Sequence, residues 1–335
     1  MDIKKVLFDL SVASDVAGIE GAVNKAAQYF SSYVDSIEIG TDSVVGVLNG
    51  DSNYSILIDA HIDEIGFIVT SVEQKGFLKV SAMGGIDARL LCSQAVVVHG
   101  KEEIIGVFCS TPPHLKKDSD QAPKLEDLYI DTGFNDGLKD IVKVGDRVTF
   151  LQTPAQLLGG RITGKSFDNR AGVAVAIEVA RQLKKADNIP CNVVFLLSDQ
   201  EELGCRGAQT KAFELAPDEA LVVDVSFGDG ADIPEEKAGK LSQGTMIGIS
   251  PVLSKKVTDK LIEIARLNDL RFQREVMGGT TSTNADVIST SKSGIPCGLL
   301  SIPLRNMHTT VEVVDINDIQ STADIIVKYV LSFKG

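Results

Sequence analysis

No apolar run in this 335-residue sequence is long enough to cross a bilayer, and the N-terminus, MDIKKVLFDLSVASD, lacks the long apolar core of a secretion signal. A cytoplasmic location is the expectation that follows, with no membrane partner. Basic charge is in short supply: 33 Lys and Arg against 46 Asp and Glu give a formal net charge of -13, and no Lys/Arg cluster stands out. Phosphate backbones require such a cluster, so no nucleic acid is expected as a partner. The five cysteines, Cys92, Cys109, Cys191, Cys205 and Cys297, are odd in number, widely spread and lack the paired spacing of a metal knuckle. That usage fits reduced thiols in a reducing compartment, and we read them as core filler. Internal repeats and low-complexity tracts are absent too. What remains, at 44% hydrophobic and 24% charged residues, is the composition of a soluble globular protein of one large domain or two ordinary ones.

The texture of the chain changes twice. Up to about Val34, the recurrence of Ile19, Val23, Ala26, Ala27 and Phe30 at steps of three and four predicts an amphipathic helix, with Ser14 or Asp15 as its cap. Two β-like runs follow, Ser43 to Leu48 and Tyr54 to Asp59, separated by the turn signal NGDSN. From about Ile68 to Thr163, short strand candidates (FLKVSA, QAVVVHG, IIGVFC, RVTF) alternate with turn residues and no convincing helix appears. Beyond Lys165, strands at Asn192 to Leu197, Leu221 to Val225 and Gly298 to Ile302 alternate with helices near 169–185, 257–267 and 316–330. The predicted fold class is therefore α/β: a mostly parallel sheet flanked by helices, formed by residues 1–67 and 164–335, with a small all-β, barrel-like domain inserted at 68–163. The insertion is expected to serve substrate access or oligomerisation.

The stretch CNVVFLLSDQEELGCRGAQ, Cys191 to Gln209, is the one around which the rest of the chain is arranged. Its apolar run, Val193 to Leu197, reads as a doubly buried strand that stops at Ser198, Asp199, Gln200, Glu201 and Glu202. Open α/β sheets place their ligand crevice at such carboxyl ends, and crowded carboxylates repel one another unless a positive group holds them. Of the four histidines, His61 follows the strand YSILIDA and His308 follows CGLLSIPL, so both reach the same crevice; His99 and His114 read as hydrogen-bonded structural residues. Asp168, in GKSFDNRAG, stands before a helix, where an N-cap is the ordinary role of an aspartate. Asp224 interrupts the apolar run EALVVDVSF, a costly place for a carboxylate without a cation or donors. Two imidazoles and the carboxylates of Asp168, Glu201, Glu202 and Asp224, with no thiolate, suit zinc, cobalt or manganese. Six groups exceed the needs of one ion; two ions sharing one carboxylate would use five and leave one as a base. Glu201 and Glu202 divide the labour, one holding metal and one accepting a proton, while Asp63 in HIDE can fix the tautomer of His61.

The stretches DAHIDEIGFIV, STPPHL, YIDTGF, VGDRVTF, GKSFDNRAGVAVAIEVA, SDQEELGCRGA, VVDV and SIPLRNMHTTVEVVD resemble the tetrahedral (TET) aminopeptidases, a family that includes glutamyl and deblocking aminopeptidases and some members named endoglucanase. The resemblance runs in order along nearly the whole chain. It implies an α/β metallopeptidase domain carrying an inserted β domain, and a dinuclear aminopeptidase that releases N-terminal residues from peptides. It further implies that Asp168 bridges two divalent ions, zinc or cobalt foremost, with His61 and Asp224 completing one site and Glu202 and His308 the other. Glu201 becomes the general base for the attacking water, Asp63 orients His61, and the peptide bond after Asp168 is a candidate for the cis form. Homo-oligomers built from dimers, up to dodecamers, are the implied assembly. Three positions depart from the family pattern, Ser282 and Asn284 in TSTNAD and Asn306 in RNMH, and the segment GKLSQGTMIG differs as well.

Two other readings follow from the same residues. A glycosidase would need carboxyl groups facing each other across a sugar, which chain neighbours such as Glu201 and Glu202 do not supply, and would leave the histidines without a role. A peptide-binding or scaffold protein with weak or lost turnover would account for Ser282, Asn284 and Asn306, but not for an intact set of ligands.

Overall fold

The computed structural model describes residues 1–40, 43–112, 122–231 and 233–333. Two helices open the chain, α1 (Ile3–Val12) and α2 (Gly21–Phe30), followed by β1 (Ser36–Ile39), β2 (Ser43–Leu48) and β3 (Ser55–His61). A series of strands comes next: β4 (Gly66–Val72), β5 (Phe77–Met83), β6 (Ala95–His99), β7 (Glu103–Cys109), β8 (Tyr129–Asp131), the helical turn α3 (Leu138–Ile141) and β9 (Arg147–Phe150). After β10 (Ala155–Gln156) and β11 (Arg161–Gly164), helices and strands alternate: α4 (Phe167–Leu183), β12 (Asn192–Ser198), α5 (Arg206–Leu215), β13 (Glu219–Phe227), β14 (Thr245–Ile249) and α6 (Lys255–Leu267). The chain ends through β15 (Phe272–Val276), α7 (Ala285–Ile288), β16 (Cys297–Leu304), β17 (Glu312–Asp315) and α8 (Ile316–Leu331).

The main sheet has eight strands in the order β1-β2-β12-β3-β13-β16-β14-β15. Its centre, β12-β3-β13-β16, is parallel throughout, while β2 and β14 join it antiparallel on either side. Parallel strands buried on both faces need continuous apolar runs, and ILIDA, VVFLL, ALVVDV and GLLSIP supply them. Strands β4-β5-β8-β7-β6-β9 close into a separate barrel. Its core holds the rings of Phe67, Phe108 and Phe150, with centroids 4.9 and 5.3 Å from Phe67. The barrel leaves the sheet just after His61 and the chain returns through β11 to Phe167, so the insertion joins the main sheet at its carboxyl edge.

Local details differ from the sequence expectations for identifiable reasons. The single helix expected before Val34 is two. Ile3, Val6, Leu7 and Leu10 form a buried stripe of their own on α1, and Ile19 lies in the turn between the helices. Asp15 does serve α2, but from a distance: its Oδ2 accepts the Val23 N–H at 2.9 Å. Helix α4 is buried on nearly every side rather than on one face, because α1, α2 and α8 cover what the sheet does not, and its small residues permit that approach. Core filling describes Cys191 and Cys297 only; Cys92 is exposed, and Cys109 and Cys205 are half-buried. His99 has the structural role expected, with Nδ1 3.1 Å from Glu103 Oε1 and Nε2 2.9 Å from Thr149 Oγ1. His114 lies outside the described residues. Among the described residues, no helix is long and apolar enough to cross a membrane.

Candidate metal centre

The strand order delivers the candidate residues to one place. Glu201 and Glu202 follow β12, His61 ends β3, Asp224 lies on β13 and His308 follows β16, and these four strands are neighbours running the same way. Asp168 enters from the start of α4, which packs on β3 and β13. Its backbone is extended there (φ -78°, ψ 104°), the Asp168–Asn169 peptide is cis, and the side chain faces the histidines instead of capping the helix. Asp168 Oδ1 is 3.1 Å from His61 Nε2 and Oδ2 is 3.3 Å from His308 Nε2. Asp224 Oδ1 lies 3.7 Å from His61 Nε2, and Glu202 Oε1 lies 3.4 Å from His308 Nε2. Two groups of ligand atoms result, His61–Asp168–Asp224 and Asp168–Glu202–His308, each with its atoms within 4.8 Å of one another. Asp168 belongs to both. Glu201 belongs to neither; it lines the same cleft of about 350 Å³.

Electrostatics make the site hungry for cations. Burial, helped by the neighbouring carboxylates of Asp168 and Glu201, pushes Asp224 well above the usual carboxylate range. Burial, together with Glu202, Asp168 and Asp63, pushes Glu201 up to about 7. Burial opposes a charged His61, yet the adjacent carboxylates of Asp168 and Asp63 raise it well above the ordinary value. Contacts to Asp168 and Glu202 push His308 up to about 11. For Asp168 itself burial is outweighed by the two histidines, which hold it below the usual range. Protons on the imidazoles thus balance part of the carboxylate charge, a role that divalent cations fill more completely. Asp63 Oδ1 lies 3.3 Å from His61 Nδ1, a ring nitrogen that has no well-aligned hydrogen bond. The same carboxylate accepts the backbone N–H groups of Glu201 (3.0 Å) and Glu202 (3.2 Å), so it also holds the turn that presents them.

Several supporting residues escaped the sequence reading. Glu312 is buried and accepts the backbone N–H groups of both Asp168 (3.1 Å) and His308 (3.0 Å), tying two candidate ligands together. It interrupts the apolar run VEVVD as Asp224 interrupts its own, and the same signal points to both. Glu64, Lys165 and Arg170 form a buried ionic group behind the site, with Lys165 Nζ 2.5 Å from Glu64 Oε2. Asn284 and Asn306 among the departing positions have local explanations, whereas nothing in the structure explains Ser282. Ser282 and Asn306 sit at φ 57° and 59°, a region that asparagine tolerates better than most residues. Asn306 Nδ2 closes its own turn on the Val311 carbonyl at 3.1 Å. Asn284 is buried and donates to Asp59 and to Ser198, both at 2.9 Å.

A mixed α/β fold with a β-barrel insertion and clustered histidine and carboxylate side chains at the sheet's carboxyl edge defines a class of peptidases. Residues 42–325 match the M42 glutamyl aminopeptidase family model, and the chain belongs to that family. It is 28% identical over 275 residues to the lysyl aminopeptidase of Pyrococcus furiosus, covering 80% of this chain and 78% of that one. Its fold is similar to that of aminopeptidase APDkam598 from Desulfurococcus kamchatkensis (TM-score 0.92, 31% identity, 99% and 95% of the two chains). It is similar also to the TET1 peptidase of Pyrococcus horikoshii, which assembles into a tetrahedron or a large octahedral shell (TM-score 0.86, 26% identity, 99% and 100%). The chain is thus an aminopeptidase, a hydrolase acting on peptides.

Proposed function

We propose that the protein is a dinuclear metallo-aminopeptidase in which Asp168 is shared between two ions, His61 and Asp224 complete one site, and Glu202 and His308 complete the other. The observation that carries this reading is the split of Asp168, one oxygen toward each histidine. The donor set fits: imidazole and carboxylate groups without thiolate suit zinc or cobalt, and the carboxylates of Asp168, Glu201, Glu202 and Asp224, with Asp63 behind His61, give an anionic excess for two dications. Bound there, divalent ions would acidify water and polarise a peptide carbonyl. Glu201 stands outside both ligand groups yet lines the same cleft, and it is the proton acceptor. Asp63 holds the His61 ring and the Glu201–Glu202 turn. Residues 68–163 act as a separate inserted domain beside a catalytic domain of 1–67 and 164–335, in a cytoplasmic, dimer-based homo-oligomer, a reading supported by the tetrahedral or octahedral assembly of the similar P. horikoshii peptidase.

Metal analysis of the purified protein is expected to give two zinc or cobalt ions per chain, and chelation to abolish hydrolysis of aminoacyl chromogenic amides. Absence of hydrolysis by metal-loaded protein across a broad peptide panel would favour a peptide-binding scaffold instead. The cleft also bears on the preferred N-terminal residue. Around the ligands it is lined by Ser226, Thr281, Ser282 and Thr283, and no lysine or arginine lines it among the described residues. With the charge of the ions taken up by the ligand carboxylates, a glutamate side chain would find no lysine or arginine to pair with there. Neutral or basic N-terminal residues are expected to be released at least roughly tenfold faster than glutamate, a difference of about 1.4 kcal/mol. Equal kcat/KM for glutamyl and leucyl amides would contradict this.

A further inference from the structure

The two candidate metal half-sites are built differently. His61, Asp168 and Asp224 all come from the helix-flanked sheet and its helix α4. The half with Glu202 and His308 is also touched by the barrel, through the turn that follows β5. The Gly85 carbonyl accepts a hydrogen bond from His308 Nδ1 at 2.8 Å. Next to it, Gly84 adopts φ 88°, and a Cβ there would lie 3.1 Å from Glu202 Oε2 and 2.7 Å from Ile65 Cγ2. A Cβ on Gly85 would lie 2.9 Å from His308 Nδ1 and 3.2 Å from its Cε1. The fit is therefore close enough that neither position has room for a side chain. A second tie runs from the His308 loop to the segment before β6, where Thr310 Oγ1 donates to Gln94 Oε1 at 3.0 Å.

Resting on the dinuclear reading above, we propose that the Gly84–Gly85 turn of the barrel is a positioning element for the Glu202–His308 half-site, so that this ion's affinity, and not the other's, depends on the seated barrel. The physical reason is the tautomer. With the Nδ1–H engaged by a carbonyl, the lone pair at Nε2 is left facing Asp168 and Glu202, and outer partners of this kind govern the basicity and aim of a ligating histidine. Gly84 in turn leaves Glu202 the space to approach. The His61 half has its own outer partner in Asp63, on the short link between sheet and barrel, and among the described residues no barrel residue past Gly66 belongs to its group of ligand atoms.

The test is calorimetric titration of Zn²⁺ into chelator-stripped, full-length protein, run alongside circular dichroism. The wild type is expected to take two ions. Gly85→Ala, whose backbone needs no left-handed conformation, is expected to keep one affinity within a factor of about two and to weaken the other by about 10–100-fold, the usual effect of losing an outer partner. His308→Ala should weaken that same ion. Two ions bound by Gly85→Ala with wild-type affinities would overturn the inference and leave the dinuclear reading standing; a wild type that takes fewer than two would overturn the reading itself. Equal weakening of both ions would also overturn the inference, since it would mark a general structural defect. Should Gly85→Ala fail to fold, Gln94→Ala, which cuts only the tie to Thr310, decides: selective weakening of one ion supports the inference, and unchanged binding of both overturns it.

Discussion

Glu201→Gln is expected to bind metal at the wild-type stoichiometry and to lower kcat by about 10²–10⁴-fold, the range contributed by a positioned proton acceptor. Several features make the substitution selective. Glu201 is in neither group of ligand atoms, so its loss removes no donor. Its backbone N–H holds Asp63 Oδ1 whatever the side chain, and the Cys205 thiol, 3.5 Å from Glu201 Oε1, can donate to an amide oxygen as well as to a carboxylate. The amide keeps shape and polarity but cannot take a proton. KM should change little, because an interaction made only as the proton moves lowers kcat without altering substrate binding. Neutralising one carboxylate in a cleft that also holds Asp168, Glu202 and Asp224 relieves repulsion, so the metal-free variant should melt no lower than the metal-free wild type. Glu202→Gln, by contrast, alters a donor 3.4 Å from His308 Nε2 and should lose metal. Wild-type turnover in Glu201→Gln would move the proton-accepting role to another residue.

The contrast between these adjacent glutamates shows which parts of the molecule the sequence could reveal. Chain neighbours at a strand end point in different directions, so the sequence can say that they differ; which one touches the metal ligands depends on where His308 arrives, 106 residues later in the numbering. The central parallel strands were legible because double burial imposes apolar runs, and their polar carboxyl ends marked the crevice. Less legible were the edges. Strand β15 has no fully buried position, β8 has three residues and β10 two, and so short or half-covered a segment imposes little pattern. Helix α1 has the same apolar spacing as α2, and only a short irregular segment separates the two, so the pattern alone does not divide them. Glu312 and the Gly84–Gly85 turn were invisible for another reason: their partners, the Asp168 and His308 backbones and the His308 ring, come from distant parts of the chain. Asn284 departs visibly from the family pattern, but that its amide holds Asp59 and Ser198 is a fact of packing alone.

The largest loss of stability is expected from Glu64→Gln. Glu64 is buried directly after Asp63, where it accepts hydrogen bonds from Lys165 Nζ (2.5 Å), from Ser166 Oγ and from the Asp15 N–H (3.1 Å), with Arg170 Nη2 3.9 Å away. Lys165 is 3% exposed and Arg170 not at all, so no solvent is available to either if the carboxylate is neutralised. Arg170 does donate to the Leu10 and Ala13 carbonyls, at 2.7 and 3.0 Å, but those neutral acceptors do not replace a counter-charge. Breaking a buried pair by removing one charge costs about 3–5 kcal/mol, and chemical denaturation of the metal-free variant against wild type should show a deficit of that order. Lysine has an exit that arginine lacks. Burial already lowers the Lys165 proton affinity, and without Glu64 it falls further. A group whose folded-state affinity is depressed below its unfolded value disfavours folding most at pH values below both, and the penalty fades as pH rises and the folded form sheds its proton. The deficit of Glu64→Gln should therefore be larger at pH 7 than at pH 9.5. Adding Lys165→Met should recover part of it at pH 7 and remove most of this pH dependence, leaving the share due to Arg170. A deficit below about 1 kcal/mol, in the range of an exposed ion pair, would show that water reaches this group and that its burial does not set its energetics.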